Sequence, residues 1–325
     1  MPLQIIKNNI ENVKVDVVVN PTNHDLIATS GADFFTHQKI EKELDEVYRK
    51  ITNLKEGEVF LIDANNLNTK YVIYTVTPTF DKKNIENENK FVSCYKNALE
   101  LAKNNKCESI AFPLISSDNI LFPKELAFNL ATKTIREFLL NNEMDVYLVI
   151  YDEESEKIAN KLFDNIEDYV NKHYKDEIYC DKEILTVRSS IYADKRIKPF
   201  YEQSINIDEY QLDESWQECL FRLIDTKGID PVVCYKRANV NKQLFSKINS
   251  NSKYRPSKST ALAFAIALKL NVKETKDMLE KAGFALSRSD LSDVIVEAHI
   301  KQKIYDIDEI NLVLLSKDLK PLNNY

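Results

Sequence analysis

Glycine is almost missing from this chain, with four in 325 residues. So few glycines leave few places where backbone takes positive φ freely or closes tightly on a ligand. Long apolar runs are missing as well. The longest, Ala261 to Leu268, is far too short to cross a bilayer. The opening MPLQIIKNNI lacks the charged, apolar, small-residue order of a secretory signal. These absences predict a cytoplasmic protein with no membrane partner. The five cysteines, at 94, 107, 180, 219 and 234, form no CxxC pair, and their odd number suits reduced thiols better than a disulfide framework. The four histidines, at 24, 37, 173 and 299, make no metal-ligand spacing with each other or with the cysteines, so neither metal nor cofactor is expected.

What is present describes an ordinary globular protein, 44% hydrophobic and 29% charged, and long enough for two domains that each bury a core. The charge is uneven. From Pro231 to Phe284 eleven Lys and Arg face three acids, an excess of +8 in a chain of net charge −7, so the remainder carries −15. That count suits a polyanion-facing module, and equally a solvated helical surface.

Up to about residue 152 short β-rich runs alternate with helical periodicity. LQII, VDVVV, EVFLIDA, KYVIYTVTP, SIAFPLI and VYLVIYD read as strands, and about 36–52, 90–104 and 123–141 as helices. This pattern predicts a mixed sheet covered by helices, with ligands on loops at the strand ends. Residues 153–175 read as a helix packing on the same domain, through Ile158, Leu162, Phe163, Ile166, Tyr169 and Val170. The expected organisation is a first domain over 1–175, a polar connector over 176–213 and a helical domain over 214–325.

The ordered stretches VDVVVNPTN, GEVFLIDANNLNTKYVIYTVTP, CYKNALELA, SIAFPLIS, FPKELAFNLATKTIREFL and VYLVIYD resemble the macrodomain family of ADP-ribose-binding modules, over roughly residues 1–152. The resemblance implies a three-layer α/β/α domain with a mixed central sheet and two loops that clasp a diphosphate with backbone N–H groups. It implies ligand contacts from Asn9, Asn20, Ser30, Gly31, Ala32 and Phe34, from Ser116, Ser117, Asp118, Asn119 and Phe122 in the second loop, and from Tyr151 beside the adenine. In members that hydrolyse ADP-ribosyl bonds, Asn23 and Asp33 match the residues that orient the distal ribose and the attacking water, and His37 matches a histidine of the following helix. The chemistry is coherent, because an amide both donates to and accepts from a ribose hydroxyl while a carboxylate positions or deprotonates water. The same two residues also suit a turn and a helix N-cap.

The loops depart from the family pattern. Ala28, Thr29, Ser30 and Phe34 stand where the first loop usually has glycine, and SSDNILFP puts Asp118 and Leu121 at glycine positions of the second. A carboxylate about 4 Å from a phosphate costs up to about 4 kcal/mol near a surface, roughly a thousandfold in affinity, unless it turns outward or meets a cation. Asn9 stands where many members have an aspartate, and its oxygen still accepts from an adenine amino group without the charge.

From Trp216 to Phe284 five short helical segments resemble the Cro/C1-type helix-turn-helix family, which makes the expected second domain all-α. Asn239 falls at the left-handed turn residue, a position that asparagine tolerates. The resemblance implies a DNA partner, read by Asn241, Lys242, Gln243, Ser246 and Lys247, with Lys253, Arg255 and Lys258 on the backbone. Tyr235 displaces the usual small residue of the second helix, and Ala238 follows three positions later. The closing segment reads as two further helices, whose Ile295, Ile310, Leu312 and Leu315 either cap the domain or form a homodimer surface.

The expected function is a ligand-sensing regulator or defence component that binds ADP-ribose or a related NAD-derived nucleotide and couples it to DNA binding. The alternatives are an ADP-ribosyl hydrolase using Asn23 and Asp33, and a degenerate macrodomain kept as an interaction scaffold.

Overall fold

The computed structural model describes residues 3–22, 54–64, 69–78, 86–115, 123–150 and 213–323. Six strands form one sheet: β1 (Leu3–Lys7), β2 (Val17–Thr22), β3 (Val59–Asp63), β4 (Tyr71–Val76), β5 (Ser109–Pro113) and β6 (Asp145–Ile150), in the order β1-β6-β5-β2-β4-β3. Every neighbouring pair is parallel except β3 with β4, so the sheet is mixed as the alternation of segments implied.

Two helices cover one face, α1 (Glu86–Asn104) and α2 (Lys124–Asn141). Phe91, Cys94, Tyr95, Ala98, Leu99 and Ala102 repeat at helical spacing along α1, as do Ala127, Phe128, Ala131, Ile135, Phe138 and Leu139 along α2. Both stripes pack on Leu3, Ile5, Val17, Val19, Ile73, Ile110, Phe112, Val146, Leu148 and Ile150. Each such side chain contributes about 1.5–3 kcal/mol on burial, enough to fix which face the helices cover. On the other face Val72, Tyr74, Val76, Ala111 and Val149 are also buried. The helices expected over 36–52 and 153–175, and nearly all of the connector, lie outside the described residues.

Seven helices follow: α3 (Trp216–Thr226), α4 (Pro231–Arg237), α5 (Lys242–Ser250), α6 (Lys258–Ala267), α7 (Val272–Lys281), α8 (Leu291–Lys301) and α9 (Ile307–Ser316). Side chains of Ser215, Asp230, Asn241, Ser257, Asn271, Asp290 and Asp306 accept first-turn backbone N–H groups, so each of these helices starts at a polar cap worth about 1 kcal/mol. Apolar on all sides, α6 is buried from Thr260 through Ala267 and forms the axis of this core.

The two domains are locked together. Leu312 and Leu315 of α9 enter the core of the sheet domain, while Ile295 and Ile310 lie in the helical core. Of the two roles expected for these four residues, capping is the one the structure shows. These four side chains therefore pack inside the chain and are not presented to a second copy. Lys236 of α4 donates from Nζ to the carbonyls of Leu139 (2.6 Å) and Leu140 (2.8 Å) at the end of α2, and lies 3.6 Å from Glu143. Asn239 donates from Nδ2 to the Leu3 carbonyl at 2.8 Å. Arg136 of α2 holds Asp308 of α9 in a two-pronged ion pair whose Nη2–Oδ1 arm is 2.6 Å.

Among the described residues no helix is long and apolar enough to cross a membrane, and no cluster of His, Cys, Asp and Glu has the makings of a metal site.

Candidate functional site

Strand order places the chemistry. From β4 the chain passes over β2 to reach β5, so the topological switch lies between β2 and β5. These two strands pair only through Val17–Ile110 and Val18–Ala111, whereas β2 stays paired with β4 to Thr22. Their pairing stops at Val18, and their carboxyl ends are where a topological switch places a ligand crevice. Pro21 lies past that point, where its missing N–H interrupts no bond to β5.

Both walls of the crevice are tied from behind. Thr77 bonds the Thr22 carbonyl twice, through its backbone N–H (2.9 Å) and its hydroxyl (3.0 Å), and so fixes the exit of β2. At the exit of β5 the Tyr95 hydroxyl accepts from the Ile115 N–H at 3.1 Å and faces the Pro113 carbonyl at 3.5 Å, while its ring packs 5.0 Å from Phe112. Neither residue was singled out from the sequence. Tyr95 falls in the segment read as a helix over about 90–104, but nothing local signalled that its hydroxyl would hold a strand end.

Of the predicted ligand residues two are described. Asn20 is completely buried in β2 beside Tyr74 of β4, three residues before Asn23. Asn9 caps a short 3-10 turn (Ile10–Asn12), its Oδ1 accepting from the Glu11 N–H at 3.1 Å. One lone pair of that oxygen is thus committed to the turn. Asn23, Ser30, Gly31, Ala32, Asp33, Phe34, His37, Ser116, Ser117, Asp118, Asn119, Phe122 and Tyr151 lie outside the described residues.

Glycine scarcity bears on these loops. The three described glycines, Gly57, Gly228 and Gly283, all have positive φ, and at Gly57 a Cβ would also meet the Lys90 carbonyl and Ser93 Cβ at 3.0 Å. Six other residues take the same left-handed region: Lys106, Asn239, Lys269, Lys303, Asp318 and Asn323. This chain therefore builds left-handed turns without glycine, accepting about 1–2 kcal/mol of backbone cost at each. A missing glycine does not by itself redirect a loop here.

The second candidate surface lies on α5. Asn239 takes φ 55° between α4 and α5, as its position in the sequence implied. Asn241 caps α5, its Oδ1 accepting from the Leu244 N–H at 2.7 Å. Tyr235 packs on Phe245 at 4.9 Å and Ala238 is buried beside it, so the large residue becomes the contact between the two helices. Lys242, Gln243, Ser246 and Lys247 are exposed on one stretch of α5, and Lys253 and Arg255 on the loop after it. Lys258 differs. Its ammonium is paired with the buried Asp293 carboxylate, which removes it from the exposed set. Lys276 and Lys281 are also ion-paired, to Glu297 (3.7 Å) and to Asp277 (3.3 Å), and Lys236 is committed to α2, which leaves seven of the eleven cations without an ion pair among the described residues.

The four described cysteines are buried free thiols, and burial pushes Cys94 and Cys234 up to about 12 and Cys219 up to about 11. None is a ready nucleophile.

A family model, the Macro domain, matches residues 19–131. A macro domain-containing protein of Listeria monocytogenes is 36% identical over 174 residues, which cover 51% of this chain and 98% of that protein. The O-acetyl-ADP-ribose deacetylase of Escherichia fergusonii is 31% identical over 166 residues, covering 49% of this chain and 94% of that enzyme. Among solved structures, the Oceanobacillus iheyensis macrodomain with ADP is 30% identical, covers 51% of this chain and 92% of its own, and has a TM-score of 0.45.

Proposed function

The chain belongs to the macro domain family through its amino-terminal half, and from that premise we propose that it binds ADP-ribose or a related NAD-derived nucleotide in the crevice at the carboxyl ends of β2 and β5. The observation that carries this reading is the end of the pairing between those strands at Val18, with buried Asn20 at the edge and both strand exits tied from behind. Backbone N–H groups of the two following loops supply the diphosphate contacts, with Asn23 and Asp33 toward the distal ribose. A thermal-shift titration tests it. Ligand that binds only the folded state raises Tm with concentration, and a flat response to millimolar ADP-ribose counts against the proposal.

A second reading is supported by a specific observation, the similarity to a protein named O-acetyl-ADP-ribose deacetylase. In it Asn23 and Asp33 place a water against an ester or glycosidic carbon. Asp33→Ala separates the two readings: turnover of an ADP-ribose ester by the natural chain that the substitution abolishes supports hydrolysis, and no turnover by either supports binding alone.

For the helical domain the proposal is a helix-turn-helix module that docks α5 on nucleic acid, with Lys242 and Lys247 on phosphates and Gln243 and Ser246 toward base edges. Support comes from the left-handed Asn239 and the exposed cations along α5, which have no ion pair among the described residues. The salt dependence of binding to a DNA fragment tests this. Replacing Lys247 by Ala is expected to lower the slope of log K against log salt by about 0.9, and an unchanged slope removes Lys247 from the contact.

A further inference from the structure

The groove between the two domains is a second concave surface, at the opposite end of the sheet from the strand exits. It borders the start of β1 at Leu3 and encloses a cavity of 540 Å³, within the usual range of about 300–1,000 Å³ for small-molecule sites. One wall is apolar, made by Leu139, Leu140 and Val240. The lining also carries Lys133 and Arg237, which have no ion-pair partner among the described residues, together with the committed Arg136 and Lys236. An adjoining cleft of 350 Å³ shares Arg136, Arg237 and Asp306 with the cavity and adds Lys269 and Lys303, also unpaired among the described residues.

The acids of the groove offset these cations only in part. Asp306 is occupied as the cap of α9, accepting from the N–H groups of Asp308 (2.8 Å) and Glu309 (3.3 Å). Burial, reinforced by the neighbouring Asp306 and Glu125 charges, pushes Glu309 up to about 7, so near neutrality much of it carries a proton and donates rather than repels. Glu137 is exposed at the rim. The groove thus joins an apolar wall, neutral donors and a cationic end. Arg237 at the junction has the forked donor geometry suited to phosphate.

We propose that this groove is a binding site for a mononucleotide, its base and ribose against Leu139, Leu140 and Val240 and its phosphate on Arg237 with Lys269 and Lys303. The site is separate from the crevice at the strand ends and does not depend on what that crevice binds. The apolar wall separates the class from inorganic phosphate, and the cationic end separates it from nucleosides.

The test is calorimetry on the full chain with AMP, GMP, CMP and UMP, with adenosine and inorganic phosphate as controls. Three variants accompany it: Arg237→Glu, Leu140→Trp and Ser117→Trp. Arg237 is exposed and has no ion-pair partner among the described residues, and Leu140 is 42% exposed, so the first two substitutions spare the core. The expected result is that at least one mononucleotide binds more tightly than its nucleoside and than phosphate. Arg237→Glu weakens it about ten- to a hundredfold, Leu140→Trp weakens it by narrowing the cavity, and Ser117→Trp, in the predicted second loop of the crevice, leaves it unchanged. Binding lost only with Ser117→Trp, binding indifferent to Arg237→Glu, or no binding of any of the four at millimolar concentration overturns the proposal. Failure of ADP-ribose to bind the crevice leaves each of these outcomes readable.

Discussion

Replacing Arg136 by Met is expected to unlock the two domains. Asp308 is 1% exposed, and both its oxygens face the Arg136 guanidinium. Burial pushes the Asp308 carboxyl up while Arg136 pulls it back, and without Arg136 the carboxylate is left either unpaired in the interior or forced to take a proton. Removing one partner of a buried pair costs about 3–5 kcal/mol. The Arg136 side chain is 25% exposed, so the low end, about 3 kcal/mol, is the expectation here. Urea unfolding of the full chain measures it. The single tryptophan, Trp216, is buried in the helical core and reports that domain, while far-UV circular dichroism reports both. A double variant, Arg136→Met with Asp308→Leu, should recover most of the loss, because no orphaned charge remains. A loss under about 1 kcal/mol for the single variant, or a double variant as unstable as the single, would refute the reasoning.

Other consequences follow from individual residues. Burial holds His299 at about 4, below its usual 6.5, with Nδ1 on the Ile295 carbonyl at 2.7 Å. Because the unfolded chain binds that proton first, stability falls as pH drops from about 6.5 toward 4, by up to roughly 3 kcal/mol, and His299→Gln should flatten that limb in pH-dependent urea melts. Glu309 acts with the opposite sign: raised from 4.5 to about 7, it contributes stability below pH 4.5 that is lost as pH climbs through 7, and Glu309→Gln should remove this second slope. Asn239→Ala should be less stable than Asn239→Gly by about 1 kcal/mol in the same assay, since both lose the bond to Leu3 and only alanine keeps the left-handed strain. Asp118→Gly should tighten ADP-ribose binding, up to about a thousandfold if the carboxylate faces the phosphates, whereas an unchanged affinity means that it points away.

Local pattern carried most of the architecture. The six apolar or alternating runs became the six strands, and all seven carboxyl-terminal helices fall in the segments that read as helical. Even VDVVV was legible, although the ladder starts only at Val17 and runs on through Thr22, beyond the last pair with β5. The lock between domains was not legible. Arg136 and Asp308 are 172 positions apart and Asn239 and Leu3 are 236 apart, and no periodicity records such pairs. Lys236 and Lys258 read as part of a basic face because composition counts charges without showing which are already matched. Leu312 read either as a cap on its domain or as a surface for another copy, because an apolar helix stripe says that something covers it, not what. At the strand ends the sequence marked Asn20, while the groups that tie the exits of β2 and β5, Thr77 and Tyr95, act through hydrogen bonds that have no sequence signature.

The central claim is that the crevice between β2 and β5 accepts an ADP-ribose-like nucleotide despite its glycine-poor loops. Calorimetric titration of the full chain with ADP-ribose addresses it most directly, with Ser117→Trp as the occluded control. Saturable binding at one site per chain, abolished by the tryptophan, is the predicted result. No heat at millimolar ADP-ribose, or binding that the tryptophan leaves untouched, would contradict it.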